Sequence, residues 1–176
     1  MRWPARVAGL RLVPVGAFPP DLLTPLADRA SLSLGSEPLD PAPAYHPGRG
    51  QYDSTRLLLE LRARYRFPVV GAAAVDLFIP VLTFVFGEAE LGGRAAVFSI
   101  HRLREEFYGL PPNPDRLLER ALRELLHETG HMIGLAHCHD ASCVMSPSHS
   151  VELVDAKQAA YCPACLHCMD RLDSSL

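Results

Sequence analysis

From His127 to His137 the chain reads H-E-T-G-H-M-I-G-L-A-H, a spacing of H-E-x-x-H-x-x-G-x-x-H. On a helix, His127 and His131 stand one turn apart, so both imidazoles can reach one zinc ion at about 2.0–2.1 Å. His137 cannot join them if the helix simply continues. Gly134 offers the break, because glycine tolerates positive φ and lets the chain turn back toward the metal. Three neutral imidazoles leave zinc a position for water, the arrangement of a catalytic site. Glu128, beside the first ligand, can accept a proton from water polarised by the metal and later deliver it to a leaving amine. The set suits hydrolysis of an amide. Chance and a satisfied core histidine are the competing accounts. The pattern is long for chance, and both helical histidines face away from the apolar stripe of their helix.

The cysteines form a second group. Cys138, Cys143, Cys162 and Cys165 are spaced C-x4-C, then eighteen residues, then C-x2-C. Such pairs suit a closed tetrahedral zinc site, structural rather than catalytic. Cys138 directly follows His137, so a second metal would brace the loop carrying His137 and Met145. Free or redox-active thiols are the alternative. Cys168, His139 and His167 lie close in sequence and compete for a ligand place.

The element that must position the histidines is a helix beginning at Pro114, with Asn113 as its N-cap and proline in the first helical position. Leu118, Leu122, Leu125, Leu126, Thr129, Met132 and Ile133 form its apolar stripe. His127 and His131 point away from it, sharing their side with Arg120 and Glu124, while Glu128 sits at the stripe's edge. Upstream, Arg6–Val15 alternates like a strand, and a helical stretch follows Pro19. Residues 35–50 form a Pro- and Gly-rich loop, and Gln51–Tyr65 reads as a helix. Val69–Val75, Leu82–Phe86 and Arg94–Ile100 read as strands, the last two joined through a turn containing Gly87, Gly92 and Gly93.

With 176 residues the chain fits one domain with a proper core. Its net charge of −3 provides no basic field, which argues against nucleic acid or an anionic membrane as principal partner. No apolar stretch approaches the roughly 20 residues that span a bilayer. The segment Met1–Pro20 is interrupted by Arg6, Arg11 and Pro14, so it reads as a first strand rather than a signal peptide. That reading places the chain in the cytoplasm, where clustered cysteines bind metal more often than they form disulfides.

On these residues the sequence resembles the metzincins, and the archaemetzincins in particular. The carriers are the histidine motif, Met145 as the later methionine of a Met-turn, cysteine immediately after the third histidine, and the run HCHDASCVM…CPAC. Asp76–Leu103 is similar to the family's middle segment, with Thr83 where asparagine is usual. The likeness covers residues 70–168 well and the N-terminal third in general layout only. It implies an α+β, zincin-like fold: a twisted mixed sheet, packed helices including the active-site helix, and a small C-terminal subdomain below the cleft. Residues 1–176 are then a single catalytic domain, with subdomains 1–133 and 134–176. The resemblance further implies His127, His131 and His137 on a catalytic zinc, Glu128 as general base, and Cys138, Cys143, Cys162 and Cys165 on a structural zinc. Met145 would form an apolar floor beneath the metal; a gap-filling core methionine is the alternative.

In metzincins an edge strand pairs with an extended substrate, and the strand Arg94–Ile100 is placed to do so unless it is interior. A proline at Val97 is then expected to weaken substrate binding without loss of zinc. The first strand starts almost at once, leaving no room for a latency segment, so narrow specificity for short peptides is expected of a monomer. A zinc hydrolase of a non-peptide amide and a non-catalytic, zinc-stabilised binding module are the rival functions.

Overall fold

The computed structural model describes residues 3–35 and 37–174. After a short turn at Ala5–Val7 the chain enters β1 (Arg11–Val15), then α1 (Pro20–Ala30) and β2 (Ser33–Leu34). The strand expected from Arg6 thus starts only at Arg11, because Gly9 takes φ +73° and ends the preceding turn. Residues 35–50 are largely irregular, as their Pro and Gly content implies, with β3 (Tyr45–His46) near the end; Ser36 lies outside the described residues.

The next stretch divides where a single helix was expected. Gln51–Asp53 is β4, and α2 spans Ser54–Arg64. Asp53 makes the division, since its carboxylate accepts from the Arg56 N–H as an N-cap. Then follow β5 (Val69–Ala73), β6 (Leu77–Phe78), β7 (Gly87–Ala89), β8 (Ala95–Ser99), α3 (Pro114–Ile133), α4 (Val151–Ala156) and α5 (Pro163–Asp173).

The main sheet has the order β2-β1-β5-β8-β7 and is parallel except for β7, which runs antiparallel to β8 at the edge. A small second sheet holds β3, β4 and β6. Both faces of the central strands are covered, which explains why VVGAA and AAVFS are continuous apolar runs. On one face Leu12, Val70 and Phe98 pack against α1 and α3; on the other Val13, Val15 and Val97 pack against α2. The architecture is α+β with a twisted mixed sheet, as the sequence implied.

Two expectations are corrected by this topology. Leu82–Phe86 is not a strand: it is a loop over the cleft, and the strand begins at Gly87. Arg94–Ile100 contains a strand, but an interior one, paired with β5 on one side and β7 on the other. Val97 is fully buried at its centre, opposite Gly71 and Glu88. Proline there would remove a ladder donor from the middle of the sheet, so Val97→Pro disrupts the fold rather than substrate binding alone. The sheet edge that lines the cleft is β7.

Candidate metal centre

The helix α3 forms as its sequence dictates. Asn113 accepts from the Arg116 N–H, Pro114 occupies the first turn, and Gly134 closes the helix at φ +113°. The Gly134 N–H bonds back to Gly130 and His131 carbonyls, and the chain then reverses toward the metal site. Its apolar stripe is buried as expected, apart from the half-buried Leu118.

The reversal brings His137 beside the helical pair. Ring centroids lie 4.7 Å apart for His127 and His131, 5.3 Å for His127 and His137, and 4.9 Å for His131 and His137. One nitrogen from each ring falls within a group no wider than 4.8 Å. The Nε2 atoms of His127 and His131 are 3.1 Å apart, close to the roughly 3.3 Å that two ligands at 2.0–2.1 Å from a tetrahedral zinc would show. Their Nδ1 atoms lie 2.8 Å from the carbonyls of Val144 and Leu135 respectively. A carbonyl can only accept, so each Nδ1 carries the proton and each Nε2 presents a lone pair to the common centre. Burial also favours neutral rings: it pushes the His127 imidazole down to about 3 and lowers His131 and His137. The donor set fits zinc.

Glu128 is buried beside this group, and its Oε2 has no hydrogen-bond partner. Burial, reinforced by the neighbouring Glu124 carboxylate, raises its proton affinity well above the ordinary carboxylate range, while the Lys157 ammonium opposes the shift. The polar side of α3 is not a solvent face. Arg120 donates to both Asp155 oxygens at 2.7 and 2.6 Å, and Lys157 Nζ lies 3.7 Å from Glu124 Oε1. Both members of the second pair are almost fully buried.

Met145 is fully buried, with its sulfur against the α3 backbone at Gly130. A Cβ at Gly130 would overlap its Sδ and come within 3.1 Å of its Cε and of the Tyr161 ring. Gly130 is therefore the smallest residue that lets the methionine sit against the helix. Cys138 N–H donates to the Met145 carbonyl at 2.9 Å, tying the loop of the third histidine to the buried methionine.

The four thiols gather around the same loop. Cys138 and Cys162 sulfurs are 3.8 Å apart, Cys143 and Cys165 sulfurs 3.7 Å, and all four fall within 4.8 Å of one another. Tetrahedral zinc with bonds of about 2.3 Å would set sulfurs about 3.8 Å apart. Backbone N–H groups of Met145 and Cys162 point at Cys143 Sγ, as suits a thiolate. The N–H of Cys165 helps lower the Cys162 thiol to about 7, while burial raises Cys165. Cys168, His139 and His167 are exposed and stand outside the quartet.

A cleft of about 620 Å³ opens over the histidines, between the 82–86 loop and β7 above and residues 147–149 below. The Glu88 carboxylate of β7 accepts from Ser54 and Thr55 at the start of α2. Gly87 faces Glu128: a Cβ there would meet Glu128 Cγ and Cδ at 2.7 Å. Sequence reading missed Gly87, Gly130, Glu124 and Lys157. The two glycines carry no chemistry to flag them, and the burial of Glu124 depends on a partner 33 residues away.

The model of peptidase family M54 matches residues 60–171. The chain belongs to peptidase family M54. It is 51% identical over 126 residues to an archaemetzincin of Methanocaldococcus jannaschii, covering 72% of this chain and 70% of that protein. The crystal structure of an archaemetzincin from Methanopyrus kandleri superposes with a TM-score of 0.82 at 37% identity, covering 93% of both chains. A zinc-dependent peptidase from Methanocorpusculum labreanum gives 0.80 at 26% identity, covering 92% of this chain and all of that one. This M54 chain is accordingly a zinc metalloprotease, which sets aside the binding-module reading. No helix among the described residues is long and apolar enough to cross a membrane.

Proposed function

We propose that this M54 peptidase hydrolyses peptide bonds at a catalytic zinc held by His127, His131 and His137, with Glu128 as general base and acid. The observation that carries the reading is the convergence of three imidazole nitrogens, two of them fixed by carbonyl bonds at Nδ1. Zinc held there supplies Lewis acidity, polarising the scissile carbonyl and making water a better nucleophile. Glu128 takes the proton from the attacking water. It then delivers that proton to the leaving amine. The free ladder edge of β7 offers backbone N–H and C=O groups to an extended peptide, whose scissile bond then lies over the histidines. Cys138, Cys143, Cys162 and Cys165 hold a second, structural zinc. We further read the chain as a cytoplasmic monomer selective for short peptides; rapid degradation of unfolded casein would count against that selectivity.

Metal analysis tests the ligand assignment directly. The purified chain is expected to carry two zinc ions, and His131→Ala to retain one. A wild type with one zinc, or a His131→Ala variant that keeps two, contradicts the assignment.

Gly87 gives a second test. Gly87→Ala forces the Glu128 side chain aside, since the added methyl carbon would lie 2.7 Å from its Cγ and Cδ. We expect kcat to fall about ten- to a hundredfold, the scale of an ångström-sized displacement at a reacting group, with zinc content unchanged. Wild-type kcat in the alanine variant would show that β7 does not set the position of Glu128.

A further inference from the structure

The loop joining β6 to β7 forms the upper rim of the cleft, with Leu82, Phe84 and Phe86 among its lining residues. Its tip is apolar and open: Val81 is 85% and Leu82 50% exposed. The tip has little core of its own, and its backbone carbonyls are held by groups from a different part of the chain. Arg49 Nη2 donates to the carbonyls of Leu82 and Thr83 at 2.8 and 3.3 Å. Gln51 Nε2 donates to the Thr83 carbonyl at 2.9 Å and to Asp76 Oδ2 at 2.9 Å, while its Oε1 accepts from Arg49 Nε at 3.1 Å.

The network continues to the rim's side chains. Asp76 receives Arg102 at 2.7 and 2.8 Å, and the Arg102 guanidinium stacks 4.3 Å from the Phe84 ring centre. Phe84 in turn meets Phe86 edge to face at 5.2 Å. Arg49 itself lies 4.2 Å over the Phe78 ring, so its head is fixed rather than free in solvent. Planar, multi-donor groups held this way lose little freedom when they bind carbonyls, which suits them to fixing a loop.

We propose that Arg49 and Gln51 are positioning residues that clamp the 79–85 loop at a set height over the metal, and thereby determine how tightly a peptide is gripped. The inference rests on the peptidase reading of the cleft. Neither residue belongs to the metal centre, so loosening the clamp should alter the hold on substrate and leave the metal's own chemistry alone. These bonds hold the tip at Leu82 and Thr83, beyond the point where Val85 N–H is fixed on the Leu77 carbonyl, and their loss lets the tip sample conformations that forfeit its contacts with a ligand.

The test uses the zinc-loaded enzyme and two metal-binding probes: acetohydroxamate, which reaches the metal alone, and a peptidyl hydroxamate that also spans the rim. In Arg49→Ala the peptidyl probe is expected to bind about tenfold more weakly, with acetohydroxamate affinity unchanged and faster hydrogen exchange at Val81–Val85. Arg49→Lys, which keeps one donor and the charge over Phe78, should recover part of the loss. Equal weakening of both probes, or no weakening of the peptidyl probe, overturns the proposal. Should acetohydroxamate fail to bind the wild type, the metal reading fails instead, and exchange decides on the clamp: unchanged protection at Val81–Val85 in Arg49→Ala overturns it.

Discussion

Glu128→Gln should reduce kcat by about a hundred- to ten-thousandfold while leaving zinc content and thermal stability close to wild type. The amide is nearly isosteric with the carboxylate, so packing against Gly87 is kept, but it cannot accept a proton from water. Stability should not suffer, because the native carboxylate is buried without a partner at Oε2 and is pushed toward its neutral form by burial and by Glu124. A neutral amide fits that place without requiring a buried charge. The pairing of outcomes is the informative part. A variant that lost zinc or unfolded would assign Glu128 a structural role, and one that retained more than about a tenth of wild-type kcat would remove it from proton transfer.

Cys143→Ser should have the larger effect on stability. Its sulfur is almost fully buried, lies 3.7 Å from Cys165, and accepts from two backbone N–H groups. A hydroxyl is a poor zinc ligand and too small to keep those contacts, so the quartet opens. Structural zinc sites contribute to folding itself, on the order of 10 kcal/mol in small domains, and even a third of that would lower Tm by about 10 °C here. The damage should reach the catalytic site, because Cys138 follows His137 and bonds to the Met145 carbonyl. We expect weakened retention of both metals, read by metal analysis and calorimetry. Cys168→Ser, at an exposed thiol outside the quartet, is the control and should behave as wild type. A stable, fully active Cys143→Ser variant would contradict the structural assignment.

The sequence was most legible where chemistry and periodicity coincide. α3 announces itself through its cap, its apolar stripe and its terminal Gly134, and the same spacing places His127 and His131. His137 followed from the glycine, and the four cysteines from their paired spacing. The upper rim was not legible in the same way. Leu82, Phe84 and Phe86 alternate like a strand, yet they line the cleft, the Phe84 ring lies under Arg102, and Arg49 holds the Leu82 carbonyl; local sequence does not specify where those two arginines fall in the fold. The interior place of β8 was written in the run AAVFS, buried on both faces, but an edge strand beside a helix has no contrary local signal. Arg120 and Glu124 looked like an ordinary polar side. Their burial depends on Asp155 and Lys157, brought over by a segment that folds back beneath the helix, and only tertiary structure supplies that.

The most direct test of the account is cleavage of a mixed peptide library, read by mass spectrometry, by wild type before and after the catalytic metal is stripped and restored. The account predicts internal or terminal peptide cuts by the zinc-loaded chain, none by the stripped chain, and return of the same cuts on adding zinc. Cuts that persist without metal, or a chain carrying both zinc ions that cleaves no peptide, would contradict it.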